Sequence, residues 1–290
     1  MPHAAELIVD ANAHLGEGPI WDSRRNVLIW LDILDRKIHH YDPASDRDES
    51  VEVAFRPTAA VLRRSGGLML ATDEGLGHFD LDTGRFDPWA DPESDIPANR
   101  FNDGKCDPAG RFWAGTMQFH AQGDVGALYV LDTDRSVRRV FDGVTCSNGI
   151  AWSADHSTMY YIDSLKRTVD AFDYDLDSGA VSNRRTLVKI PEGFPDGMTL
   201  DTDGNLWVAV FDGFRIACFE PRNGGQVDQV DVPVPQVTAC WFGGEDLRDL
   251  FITTARENMD NATFQEHPRS GGLYRARPGA TGLVADQYAG

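Results

Sequence analysis

Residues Trp30–Asp42 read WLDILDRKIHHYD, and Tyr161–Asp173 read YIDSLKRTVDAFD. Each runs an apolar strand into an Asp, crosses a short charged turn, and leaves through a second alternating strand that ends on an aromatic–Asp pair. LATDEGLGHFD at Leu70–Asp80 and VAVFDGFRIACFE at Val208–Glu220 share the shape, as do FWAGTM…GALYVLD and FITTARENM…GGLYRAR around a longer insertion. With Asp32, Asp73, Gly115, Asp163, Val210 and Thr254 taken as matched points, the intervals are 41, 42, 48, 47 and 44 residues. A four-stranded unit repeated at roughly 40–45 residues is the pattern of a propeller blade. The expectation is an all-β chain: a six-bladed β-propeller with four antiparallel strands per blade, in one domain spanning residues 1–290.

The segments between the strands agree with this. DPASD, DTG, DPAG, DSG and DTDG supply tight-turn chemistry, and LWVAV and MYYI have the composition and length of strands. No stretch of a dozen residues carries a capped 3.6-residue apolar period, so no long helix is expected.

Composition excludes several classes. The formal net charge of -19 opposes nucleic acid and anionic membrane surfaces as partners. Purely apolar runs such as Val27 to Leu31 are far short of the ~20 residues of a spanning helix. MPHAAELIVDANAHLG has neither a basic n-region nor an apolar h-region, so a cytoplasmic protein is expected. Cys106, Cys146, Cys218 and Cys240 show no CxxC spacing and are expected as reduced thiols buried in strands. Trp113, Trp152, Trp207 and Trp241 recur at strand positions and are expected to pack between blades. Nothing signals oligomerisation, and a monomer is expected.

Just upstream of the matched strands a polar residue precedes glycine: Glu17-Gly18, Asp103-Gly104, Asn148-Gly149 and Asp196-Gly197, at intervals of 86 (two repeats), 45 and 48 residues. Blades two and six carry PTAAV and VTACW there instead. A single such pair is an ordinary Asx-type turn, but four in register with the blade period imply one shared location. The first strand of a propeller blade lines the channel, so Glu17, Asn148 and Asp196 are expected to converge, with Asn102 and Asp103 on the same ring. Two carboxylates and an amide oxygen placed together call for a cation, and hard oxygen donors favour Ca²⁺, Mg²⁺ or Mn²⁺. GxSxG, GxxxxGK[ST] and HExxH are all absent from the sequence.

LGEGPIWD, RFNDGKCDPAGRFWAGTM, SNGIAWSAD, FPDGMTLDTDGNLWVA and FITTAREN, in this order along nearly the whole chain, resemble the gluconolactonase/regucalcin-like (senescence marker protein) family. The resemblance implies hydrolysis of a sugar lactone (glucono-, xylono- or arabinonolactone) to the aldonic acid. It implies one divalent metal ion, Ca²⁺ first and Mg²⁺, Mn²⁺, Zn²⁺ or Fe²⁺ as alternatives, held by Glu17, Asn148 and Asp196. It further implies Asp196 as general acid/base and Arg100 and Asn102 as sugar contacts. One departure is visible. Animal members place a substrate-contacting Glu beyond GTM, whereas GTMQFHAQGDVGALY has no acidic residue directly after Met117, leaving Gln118 or Gln122 as substitutes. The competing readings are an esterase for non-sugar lactones or phosphotriesters, a Ca²⁺-binding regulatory propeller, and an interaction platform.

Overall fold

A computed structural model describes residues 3–290 and is a β-propeller of six blades, each with four antiparallel strands. Sequence order gives the strand order within blades one to five, where each chain segment zigzags from its first strand to its fourth. The sixth blade is completed differently. Val237–Gly243, Asp249–Thr254 and Leu273–Ala276 take the N-terminal strand Glu6–Val9 as their fourth member. The blade-five sheet gains a fifth strand, His3–Ala4, parallel to Gly225–Asp231.

The chain divides into two compact units, one of Met1–Glu52 with Ile190–Val284 and one of Val53–Lys189 with Ala285–Gly290. The first holds blades five, six and one; its core includes Trp207, Ile216, Val230, Phe242, Leu250, Ile252 and Tyr274. The second holds blades two, three and four; its core includes Trp113, Leu128, Ile150, Met159, Tyr161 and Phe172. Three of the four tryptophans pack between neighbouring blades as expected: Trp207 meets Phe242 edge-on at 5.7 Å and Trp113 meets Trp152 at 5.8 Å.

The repeated Asp residues have a defined job. Asp32 accepts from the backbone N–H groups of His14 and Leu15, Asp163 from those of Thr145 and Cys146, and Asp73 from that of Arg56. Each therefore ties the end of a blade's second strand to the entrance of its first, satisfying donors that would otherwise be buried alone. The DPAGRFW and DTDGNLW turns work similarly, with Asp107 and Asp201 accepting from Trp113 Nε1 and Trp207 Nε1.

Two expectations need adjusting. Cys106, Cys218 and Cys240 are buried cysteines outside any disulfide, but Cys146 is only half-buried and precedes the strand Ser147–Trp152. A six-residue helix, Asn261–Glu266, lies in the blade-six insertion with Asp260 capping Thr263 N. It is too short to leave an apolar period. Among the described residues no helix is long and apolar enough to cross a membrane.

Candidate functional site

Every blade's first strand carries a one-residue bulge at the same place. The register slips between Glu17 and Ile20, Pro57 and Ala59, Phe101 and Gly104, Asn148 and Ile150, Pro195 and Met198, and Val237 and Ala239. A bulge breaks strict in–out alternation and re-aims the side chains beside it. The polar–Gly pairs found in the sequence sit on these bulges, and in blades two and six the bulged residues are Thr58 and Thr238.

In the first unit, Glu17 lies on Gly16–Asp22 and Asp196 on Phe194–Leu200, with 8% and 7% of their surface exposed. Glu17 Oε2 accepts from the N–H of Gly18 at 3.0 Å, a contact helped by the positive φ of +52° at Gly18. The blade-six strand Val237–Gly243 packs between these two strands. It offers no charge: Thr238 donates its hydroxyl to Gly16 O at 2.5 Å. The approach is close, because a Cβ on Gly197 would stand 2.6 Å from Ala239 Cβ.

In the second unit, the strand Asn99–Cys106 packs between Pro57–Leu62 and Ser147–Trp152. Asn102 Nδ2 donates to Ser147 O at 2.7 Å, and Asn102 Oδ1 accepts from Arg100 Nη1 at 2.6 Å. Arg100 Nη1 also reaches Phe101 O at 2.9 Å. Asn102, expected as a sugar contact, thus spends part of its amide on the scaffold, keeping one hydrogen and one lone pair for a ligand. The neighbouring Asn148 is 4% exposed, and its Nδ2 donates to Ser164 Oγ at 2.9 Å. That bond fixes the amide and leaves Oδ1 buried, with no hydrogen-bond donor among the described residues. Ser164, sixteen positions from Asn148, had no signature in the sequence.

Asp103 Oδ1 accepts from Gly104 N at 2.7 Å, repeating the Glu17–Gly18 arrangement. Burial pushes its carboxyl above the ordinary range, with Lys105 and the Gly104 N–H pulling in the opposite direction. Of the two substitutes for the missing acidic residue, Gln118 ends the strand Phe112–Gln118 with Oε1 buried and without a donor among the described residues, while Gln122 is exposed.

In the first unit Glu17 and Asp196 each offer a carboxylate, and in the second Asn148 offers a carboxamide oxygen; each is a hard oxygen donor of the kind a divalent cation takes. The buried, donorless Oδ1 of Asn148 fits that use. Among the described residues no three His, Cys, Asp or Glu side chains gather as a metal cluster; a set containing an amide is of another kind.

Comparison with known proteins agrees with these motifs. The family described as SMP-30/Gluconolactonase/LRE-like region matches residues 15–256. Regucalcin of Xenopus laevis is 40% identical, covering 98% of both chains. A luciferin-regenerating enzyme superposes with a TM-score of 0.93 at 32% identity, covering 98% of this chain and 99% of that one. A calcium-binding protein, regucalcin, from Agrobacterium tumefaciens gives 0.95 at 27% identity, covering 99% and 98%.

Proposed function

We propose that this chain, which belongs to the SMP-30/Gluconolactonase/LRE-like family, hydrolyses a sugar lactone to its aldonic acid with one divalent cation held by Glu17, Asn148 and Asp196. The observation that carries the reading is the buried Oδ1 of Asn148, an acceptor left without a donor because Ser164 holds the other end of the amide. A buried polar atom without a partner costs free energy, and a cation ligated there removes that cost. Ca²⁺ is the ion we assign, because all three donors are hard oxygens.

The cation, when bound, supplies Lewis-acid polarisation of the lactone carbonyl. The remaining work belongs to the chain. Asp196 takes a proton from the attacking water and returns it to the ring oxygen as that oxygen leaves, so no net proton stays on the enzyme. Arg100 presents its guanidinium fork to sugar oxygens, held in place by Phe101 O and Asn102 Oδ1. Asn102 couples the Arg100 strand to Ser147, next to Asn148, so sugar and cation positions are set by one hydrogen-bonded unit.

The test is Asp196→Asn assayed on aldonolactones by proton release, with folding checked by thermal melting. The expected result is a loss of several decades in kcat in a folded protein, because a base and an anionic donor disappear together. Turnover near the wild-type rate would remove Asp196 from the mechanism.

A further inference from the structure

We propose that Gln236 reads one hydroxyl group of the substrate through its buried Oε1, which makes it a specificity-determining residue for polyhydroxylated lactones over alkyl or aryl ones. This rests on the lactonase reading above and narrows its substrate class.

Gln236 lies in the first unit, immediately before the blade-six strand Val237–Gly243, which packs between the strands carrying Glu17 and Asp196. It stands two residues before Thr238, as Phe194 stands two before Asp196 and Leu15 two before Glu17, so the three occupy one repeat position in blades six, five and one. Its backbone is held from two sides. The carbonyl accepts from Ala255 N at 2.9 Å, and a bridge joins Gln236 to Phe211. Phe211 pairs in turn with Phe194, two residues before the proposed base. Leu15, Ile33 and Ala255 form an apolar cluster, with Leu34 and Phe211 packed against it. Gln236 therefore puts an amide where its counterparts in blades one and five are apolar.

Gln236 is 8% exposed, and its Nε2 donates to the carbonyl of Glu257, in the FITTAREN motif, at 2.8 Å. That bond fixes the sense of the amide, because turning it over would set Oε1 against the Glu257 carbonyl, two acceptors facing each other. Oε1 is thus an acceptor of fixed position, and it is buried with no donor among the described residues. An amide oxygen in that state costs free energy until a donor reaches it. A cation is a poor fit, since one neutral oxygen beside an apolar cluster is not the several oxygen ligands that Ca²⁺ or Mg²⁺ takes. A sugar hydroxyl fits: it brings one hydrogen to Oε1, while Leu34 and Phe211, both only partly buried, offer apolar surface to the C–H groups beside it. Thr238 cannot take this part, because its hydroxyl already donates to Gly16 O. A site built around such an acceptor rejects an analogue lacking the hydroxyl, because the oxygen then stays unpaired.

The experiment follows proton release from an aldonolactone and from its monodeoxy and deoxyfluoro analogues at each hydroxyl in turn, with wild type, Gln236→Met and Gln236→Glu. Wild type should show a position where losing the hydroxyl and replacing it by fluorine both lower kcat/KM about tenfold, since fluorine cannot donate and the buried oxygen stays unpaired. Gln236→Met should then cost the parent lactone about tenfold more than it costs that monodeoxy analogue, which identifies the hydroxyl. Gln236→Glu keeps an acceptor oxygen but loses the Nε2 donor, so it should keep the hydroxyl preference, the reverse of what an anchoring role through Nε2 requires. Equal losses across the whole series in Gln236→Met, or a preference lost in Gln236→Glu, would overturn the proposal and leave Gln236 as an anchor for the Glu257 segment. Gln236→Glu decides alone if Gln236→Met fails to fold. If no lactone is turned over, the lactonase reading fails instead. The contact is then read by calorimetric titration of wild type and Gln236→Met with the open aldonic acid and its monodeoxy forms. A preference for the full acid that is present in wild type and lost in Gln236→Met supports it, and equal or absent binding overturns it.

Discussion

The amide of Asn102 donates to the backbone carbonyl of Ser147 at 2.7 Å, so the first strands of blades three and four are joined one residue before Asn148. Asn102 therefore acts on the position of Asn148 as well as on whatever it touches itself. Asn102→Ala is expected to weaken Ca²⁺ affinity about 10- to 100-fold, the usual effect of losing a group that orients a ligand. Ser164→Ala, which frees the other end of the Asn148 amide, should act in the same direction. Calorimetric titration with Ca²⁺ decides it: an Asn102→Ala protein with normal affinity but a raised KM would make Asn102 a sugar contact alone.

The bulge at Asp196-Gly197 tolerates no side chain on the glycine. A Cβ there would lie 2.6 Å from Ala239 Cβ, 3.0 Å from Ala239 Cα and 3.1 Å from Thr238 O. None of these can swing away. Gly197→Ala is expected to destabilise the fold by about 1–3 kcal/mol, lowering Tm by several degrees and displacing Asp196. An unchanged Tm would show that the strands of blades five and six can move apart.

Asp103 gives a pH prediction with a definite sign. Burial raises its folded-state pKa above the ordinary value of 3.8, so across the window between the two the native state binds more protons than the unfolded chain. Its contribution to stability therefore falls as pH rises through that window and stays unfavourable at neutral pH. Asp103→Asn is expected to melt above wild type at pH 7, with the difference closing as pH falls toward 4. A gap that widens toward acid would contradict this.

The fold was legible because a propeller writes its geometry as a period. The Asp residues of WLD, ATD and YID mark equivalent points since each closes the same strand entrance onto its own blade. The polar–Gly pairs were legible for a related reason: a bulge against a neighbouring strand needs the small residue. What stayed hidden depends on contacts the period does not encode. Ser164 reaches Asn148 across a strand pair. Gln236 shares a repeat position with Phe194, but it precedes VTACW, where no polar–Gly pair marks the bulge. Glu6–Val9 completes the last blade from the opposite end of the chain, where local pattern cannot name its partner. The helix Asn261–Glu266 rests on its Asp260 cap over fewer than two turns.

The most direct test of metal-dependent lactone hydrolysis is proton release from a panel of aldonolactones by chelator-stripped protein, with Ca²⁺, Mg²⁺, Mn²⁺, Zn²⁺ and Fe²⁺ restored one at a time. The predicted result is the spontaneous rate without metal and turnover well above it once Ca²⁺ is returned, abolished by Asp196→Asn. Full activity in the presence of chelator, or no turnover with any ion despite tight Ca²⁺ binding, would contradict it.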